Sequence, residues 1–93
     1  ATARALLEAR VEAERMVLAT RSALTADADL LSAAEREAIA ALVTSTEAAA
    51  RGDDHHAIDD AVKALAECTE NFAAMRMNRG IRAALAGRSV EDI

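Results

Sequence analysis

Ninety-three residues with a net charge of −5, no proline and only three glycines make one small domain at most, with few places to turn the chain. That balance excludes a nucleic-acid footprint, which needs a concentrated basic stripe, and no run approaches the roughly 18 apolar residues of a membrane span. A helical bundle is the expected class, because 26 residues are alanine, which favours helix but buries little area per residue.

One phenylalanine and no Trp or Tyr leave Leu, Ile, Val and Met to fill a thin core, in the size range where a single core gives little net stability. A lone cysteine makes no internal disulfide and fits a reducing compartment. The N-terminus is not a signal peptide, so a soluble, cytoplasmic protein is expected. The chain begins Ala-Thr-Ala and reads as a piece of something longer.

The first helix is expected over about residues 2–28. It carries two apolar rows at helical spacing: Leu6, Ala9, Ala13, Met16, Val17, Thr20 and Leu24, then Leu7, Val11 and Leu18. One narrow face cannot hold both rows, so part of the helix should meet something other than its own bundle. It should also exceed the second helix in length and overhang at its first turns.

The chain breaks around Asp29 to Leu31. Ser32 and Glu35 have the spacing of a capping box, with Leu31 placed as a staple residue. The second helix, residues 33–51, presents Ala38, Ile39, Leu42, Val43 and Thr46 on one face. Arg51 suits the negative helix end, Gly52 is expected to supply a left-handed residue, and Asp53 or Asp54 should cap the next helix. So short a connection makes helices two and three antiparallel neighbours.

Helix three, residues 54–79, repeats Ile58, Ala61, Val62, Leu65, Cys68, Thr69, Phe72 and Met75 at mostly three- and four-residue steps. Gly80 should bend or end it, a short segment 81–86 follows, and Gly87 should stop that segment. Ser89 to Asp92 again has capping-box-like spacing. The fold class is therefore all-α: a long N-terminal helix plus antiparallel helices in a small bundle, with a short C-terminal helical segment.

His55, His56 and Cys68 are the one set with metal-ligand residue types. Adjacent histidines on a helix point about 100° apart and Cys68 lies about three turns on, which favours polar first-turn histidines and a small buried thiol over a metal site. Arg51-Gly52-Asp53 spells an adhesion tripeptide, but each residue already has a helix-ending or helix-starting role. Met75 suits the core, whereas Met77 lies off the main stripe. There is no phosphate loop, no serine beside a histidine base and no carboxylate pair in apolar surroundings. The acidic residues sit at helix starts and outward faces, where solvation is the default. Neither an enzyme nor a cofactor site is expected.

Three stretches resemble the helical lid of the substrate-binding domain in DnaK/HscA-type heat-shock chaperones: Ala23 to Glu35, Gly52-Asp53-Asp54 with Ala57-Ile58, and Phe72 to Ile93. The first and third resemble the HscA branch, which serves iron-sulfur cluster assembly. The resemblance implies a lid that closes over a peptide-binding β-sandwich and slows client release, with ATP bound and hydrolysed in a separate nucleotide-binding domain. It implies the protein's own β-sandwich subdomain as first partner. A client peptide or iron-sulfur scaffold protein and a J-domain co-chaperone would engage the longer chaperone.

On the same resemblance, Leu6, Leu7, Val11, Glu14 and Arg15 are the lid–sandwich contact residues. Glu14 matches the acidic latch position, Arg15 and Arg21 lie on the same rim, and Met16, Val17 and Leu18 fall near the changeover. Leu24, Leu31, Ile39, Leu42, Val43, Ile58, Val62, Leu65 and Phe72 would build the bundle. Isolated from a sandwich, Leu6, Leu7 and Val11 should be uncovered, predicting self-association or fraying of the first turns. The competing reading is a stand-alone helical interaction module whose broad first helix docks a protein partner; direct metal or cluster contact through His55, His56 or Cys68 is a third.

Overall fold

The computed structural model describes the backbone of residues 2–89 and the side chains of residues 3–86. Three α-helices carry the described chain: α1 Thr2–Asp27, α2 Ala33–Ala50 and α3 His55–Ser89, with a 3-10 turn at Ala28–Leu30. At ~1.5 Å per residue they are about 39, 27 and 52 Å long. The start of α2 is the expected capping box: Ser32 Oγ accepts from the Glu35 backbone N–H at 3.1 Å, and Glu35 Oε1 accepts from the Ser32 N–H at 2.9 Å. Those bonds hold the Glu35 carboxyl below its ordinary range, the backbone one foremost.

Asp54 caps α3, its Oδ1 accepting from the N–H groups of His56 (3.0 Å) and Ala57 (3.4 Å). Gly52 differs from expectation. No glycine among the described residues has positive φ; instead the Gly52 N–H reaches back to Ala49 O at 3.0 Å, so α2 tightens into an i→i+3 turn rather than a left-handed cap.

Packing is up-down-up. Ile58 near the start of α3 packs with Ala9 and Ala13 of α1, while Arg76 far along α3 bonds Asp27 at the end of α1, so α1 and α3 run parallel and in contact, and α2 runs back antiparallel against both. The core falls into two clusters. Val17, Ala23, Leu31, Ile39, Val43, Leu65 and Phe72 form the larger, with Met16, Leu24, Leu42, Cys68 and Met75 against it. Ala9, Ala13 and Ile58 form the smaller, flanked by Leu6, Ala49, Ala50 and Val62. Buried Thr46 satisfies its hydroxyl on Leu42 O at 2.7 Å and more weakly on Ala61 O at 3.4 Å. In α3 the buried Ile58, Leu65 and Phe72 recur every seven residues, the period of a coiled-coil seam.

Two expectations about helix ends are corrected. α3 passes through Gly80 without a break, and Gly87 lies inside it rather than stopping it. Neither glycine adopts the left-handed geometry of a stop, and Ala83 to Ala86 are strong enough helix formers to absorb the ~1 kcal/mol that a mid-helix glycine costs. The short terminal segment is thus joined end-on to α3. The capping-box-like spacing from Ser89 to Asp92 falls mainly outside the described residues. The overhang is also at the other end: Leu6 is half-buried against the small cluster, whereas Met77, Ile81 and Leu85 of α3 are exposed beyond the core. Ala38, expected on the inward face of α2, is exposed.

Candidate functional site

The two apolar rows of α1 separate in the structure. Ala9, Ala13, Val17 and Thr20 are buried, and Leu6, Met16 and Leu24 are half-buried. Leu7, Val11 and Leu18 stand 63%, 47% and 60% exposed. With Glu14 these three lie within about 60° of one another around the helix, forming one straight stripe. Burying such side chains is favourable, so an uncovered row of this kind is an interaction surface in waiting.

Beside the stripe, α1 and α2 enclose an open groove of about 410 Å³ whose wall includes Arg10, Glu14, Leu18, Arg21, Glu47 and Arg51. Its charges are mostly committed. Arg10 donates from Nε to Ala50 O at 3.1 Å, and from its terminal nitrogen to Gly52 O at 2.8 Å and Asp53 Oδ1 at 3.1 Å. It thereby occupies carbonyls left without partners at the end of α2, and it gives Asp53 a structural task. Arg21 donates to Glu47 Oε2 at 2.6 Å, which ties that expected rim residue to the bundle. Glu14 and Arg15 are exposed and form no ion pair among the described residues, so both are available to a partner. Of the five expected contact residues, the structure thus sets Leu7, Val11, Glu14 and Arg15 on an outward face and turns Leu6 into the bundle.

The other charged centre went unread in the sequence. Arg76 Nε donates to Asp27 at 2.8 Å; Arg79 donates to Asp27 at 3.1 Å and to both oxygens of Asp29 at 3.0 and 2.6 Å. The Arg76 bond, followed by those of Arg79, holds the Asp27 carboxyl below its usual range, and Arg79 does the same to Asp29; the Arg79 guanidinium is shifted upward in return. Arg76 also lies over the Phe72 ring at 5.9 Å. Asp27 and Asp29 are therefore paired rather than merely solvated, and Arg76 and Arg79 fasten α3 to the end of α1 and the turn that follows it. Two Asp two residues apart and two Arg three apart on a helix were the signal available.

His55 and His56 hold their ring centroids 4.1 Å apart, and His55 Nδ1 lies 3.9 Å from Asp59 Oδ2. Cys68 is half-buried against the large cluster, as is Met75, whereas Met77 is exposed. Among the described residues no group of three or more His, Cys, Asp or Glu is placed to hold a metal ion. No helix there is long and apolar enough to cross a membrane.

Comparison with known proteins decides the family. A chaperone protein HscA homolog of Methylibium petroleiphilum is 67% identical over 90 residues, 97% of this chain. The chain belongs to the HscA-type chaperones. HscA homologs of Burkholderia thailandensis and Paracidovorax citrulli are 60% and 58% identical over 91 residues, 98% of the chain. The chain spans about 15% of the length of each of these HscA relatives. No family model matches it.

Proposed function

We propose that this segment is the lid of the substrate-binding region of an HscA-like chaperone, closing over a peptide-holding β-sandwich and slowing client release during iron-sulfur cluster assembly. The observation that carries this reading is the outward stripe Leu7, Val11 and Leu18 on α1, set on the side of that helix away from a bundle that satisfies its own core. A lid needs that division: one part holds its shape, another offers apolar area to be covered and uncovered.

The segment itself performs no chemistry in this proposal. ATP binds and is hydrolysed in a nucleotide-binding domain elsewhere in the longer chaperone, and a J-domain co-chaperone and the client or scaffold protein act there; the compartment is the cytoplasm. The protein's own sandwich is the partner of the stripe, with Glu14 and Arg15 on its rim. A latch between exposed charges supplies only about 0 to 1 kcal/mol, so apolar contact holds most of the closed state. The test is peptide release from the full-length chaperone carrying substitutions in the stripe. Unchanged release would refute the lid reading, and the free-standing interaction module would then account better for the same surface.

A further inference from the structure

The α1 stripe is complementary to itself. Leu7, Val11, Glu14 and Leu18 follow the 4-3-4 spacing of a coiled-coil seam, and Glu8 and Arg15, seven residues apart, share one flank of it. Among the described residues Glu8 is engaged by its exposed neighbour Arg4 at 3.2 Å, a pair that costs little to release. When two α1 helices are laid antiparallel with Val11 opposite Glu14 of the second copy, Leu7 meets Leu18 of the second copy at each end. The same register brings Glu8 beside Arg15 of the second copy, twice by symmetry. A parallel alignment would instead oppose the two Glu14 carboxylates.

We infer that a second copy of this chain pairs with α1 in that antiparallel register, forming a closed twofold dimer through Leu7, Val11 and Leu18 with reciprocal Glu8–Arg15 contacts. The other exposed apolar row, Met77, Ile81 and Leu85 on α3, has no acidic residue among described residues 77–86 to form the reciprocal charge pairs that set a register. The seam is about 16 Å long and buries less than the roughly 1,200 Å² of a standard stable interface, so the dimer is weak. It is a closed, isologous contact and forms no filament. The pairing uses the face that the lid reading gives to the sandwich, so the two exclude each other. A chain that stays monomeric would overturn the pairing and leave the lid reading untouched.

The experiment is sedimentation equilibrium of the 93-residue chain at low salt, from about 10 μM to about 1 mM, the range in which a contact of this size associates. A monomer–dimer equilibrium is expected. Glu8→Arg and Arg15→Glu should each weaken it about three- to tenfold, and the two together should restore it to within about twofold. Leu18→Glu should abolish it, with circular dichroism at 222 nm confirming an unchanged fold. Monomer throughout the range overturns the inference. So does a dimer that ignores the charge reversals, or one that survives Leu18→Glu and is dissociated by Ile81→Glu.

Discussion

Replacing Leu7 and Leu18 together by Ser in the full-length chaperone should speed the escape of bound peptide far more than removing Glu14. Full burial of a leucine is worth about 1.5 to 3 kcal/mol. Leu7 and Leu18 still expose 63% and 60% of their surface on the folded bundle, so complete covering by a sandwich stabilises the closed state by about 3 kcal/mol for the pair, and half-covering by about 1.5. Losing that contribution shifts the closing equilibrium about 10- to 150-fold toward open. Glu14→Ala removes at most about 1 kcal/mol, a factor of about five. The assay is dissociation of a fluorescent client peptide from the ADP-bound chaperone, with ATP-triggered release as the open reference. Equal effects of the two variants, or a larger effect of Glu14→Ala, would refute the assignment of the closed state to apolar contact.

Leu65 is fully buried in the larger cluster; Leu65→Ala should cost about 3 kcal/mol in urea denaturation, while Leu85→Ala on the exposed end of α3 stays within about 0.5. Gly80 has nothing within 4 Å of where a Cβ would stand, so Gly80→Ala should strengthen the local helix by about 1 kcal/mol and raise amide protection over residues 81–86; a drop in protection would mean that the helix does break there. Asp27, Asp29 and Glu35 titrate lower in the folded chain than in the unfolded one. Their stabilisation is therefore complete above the ordinary carboxylate range and is lost as pH falls below about 4 through the depressed folded values. A denaturation midpoint that does not fall between about pH 5 and about pH 3 would contradict those pairings.

The helix count inside the core was legible because the apolar period was strong. The nine bundle residues expected from Leu24 to Phe72 all enter one of the two clusters, and the second row of α1 was separable because Leu7, Val11 and Leu18 fall off the heptad of Ala9, Ala13 and Thr20. The end of α3 was misread because a glycine signals a stop only when the chain turns left-handed, and local alanines outweighed it. Helical spacing set Leu6 in the row of Ala9 and Ala13, where the structure has it; the resemblance alone assigned it to the sandwich contact. The Arg10 clamp and the pairing of Asp27 and Asp29 with Arg76 and Arg79 were not legible, because each joins groups 40 or more positions apart and the spacing of the two Asp and of the two Arg does not say that they meet.

The division of the core into two clusters has a mechanical consequence. The buried core beneath the stripe is two alanines and one isoleucine, whereas that of the far end holds six side chains larger than alanine, with a four-membered charge cluster above it. The bundle is thus graded in stiffness along its length. In the proposed lid, the half that docks is the thinly packed one, while the distal half keeps the helices in register and serves as the handle by which the other end is carried.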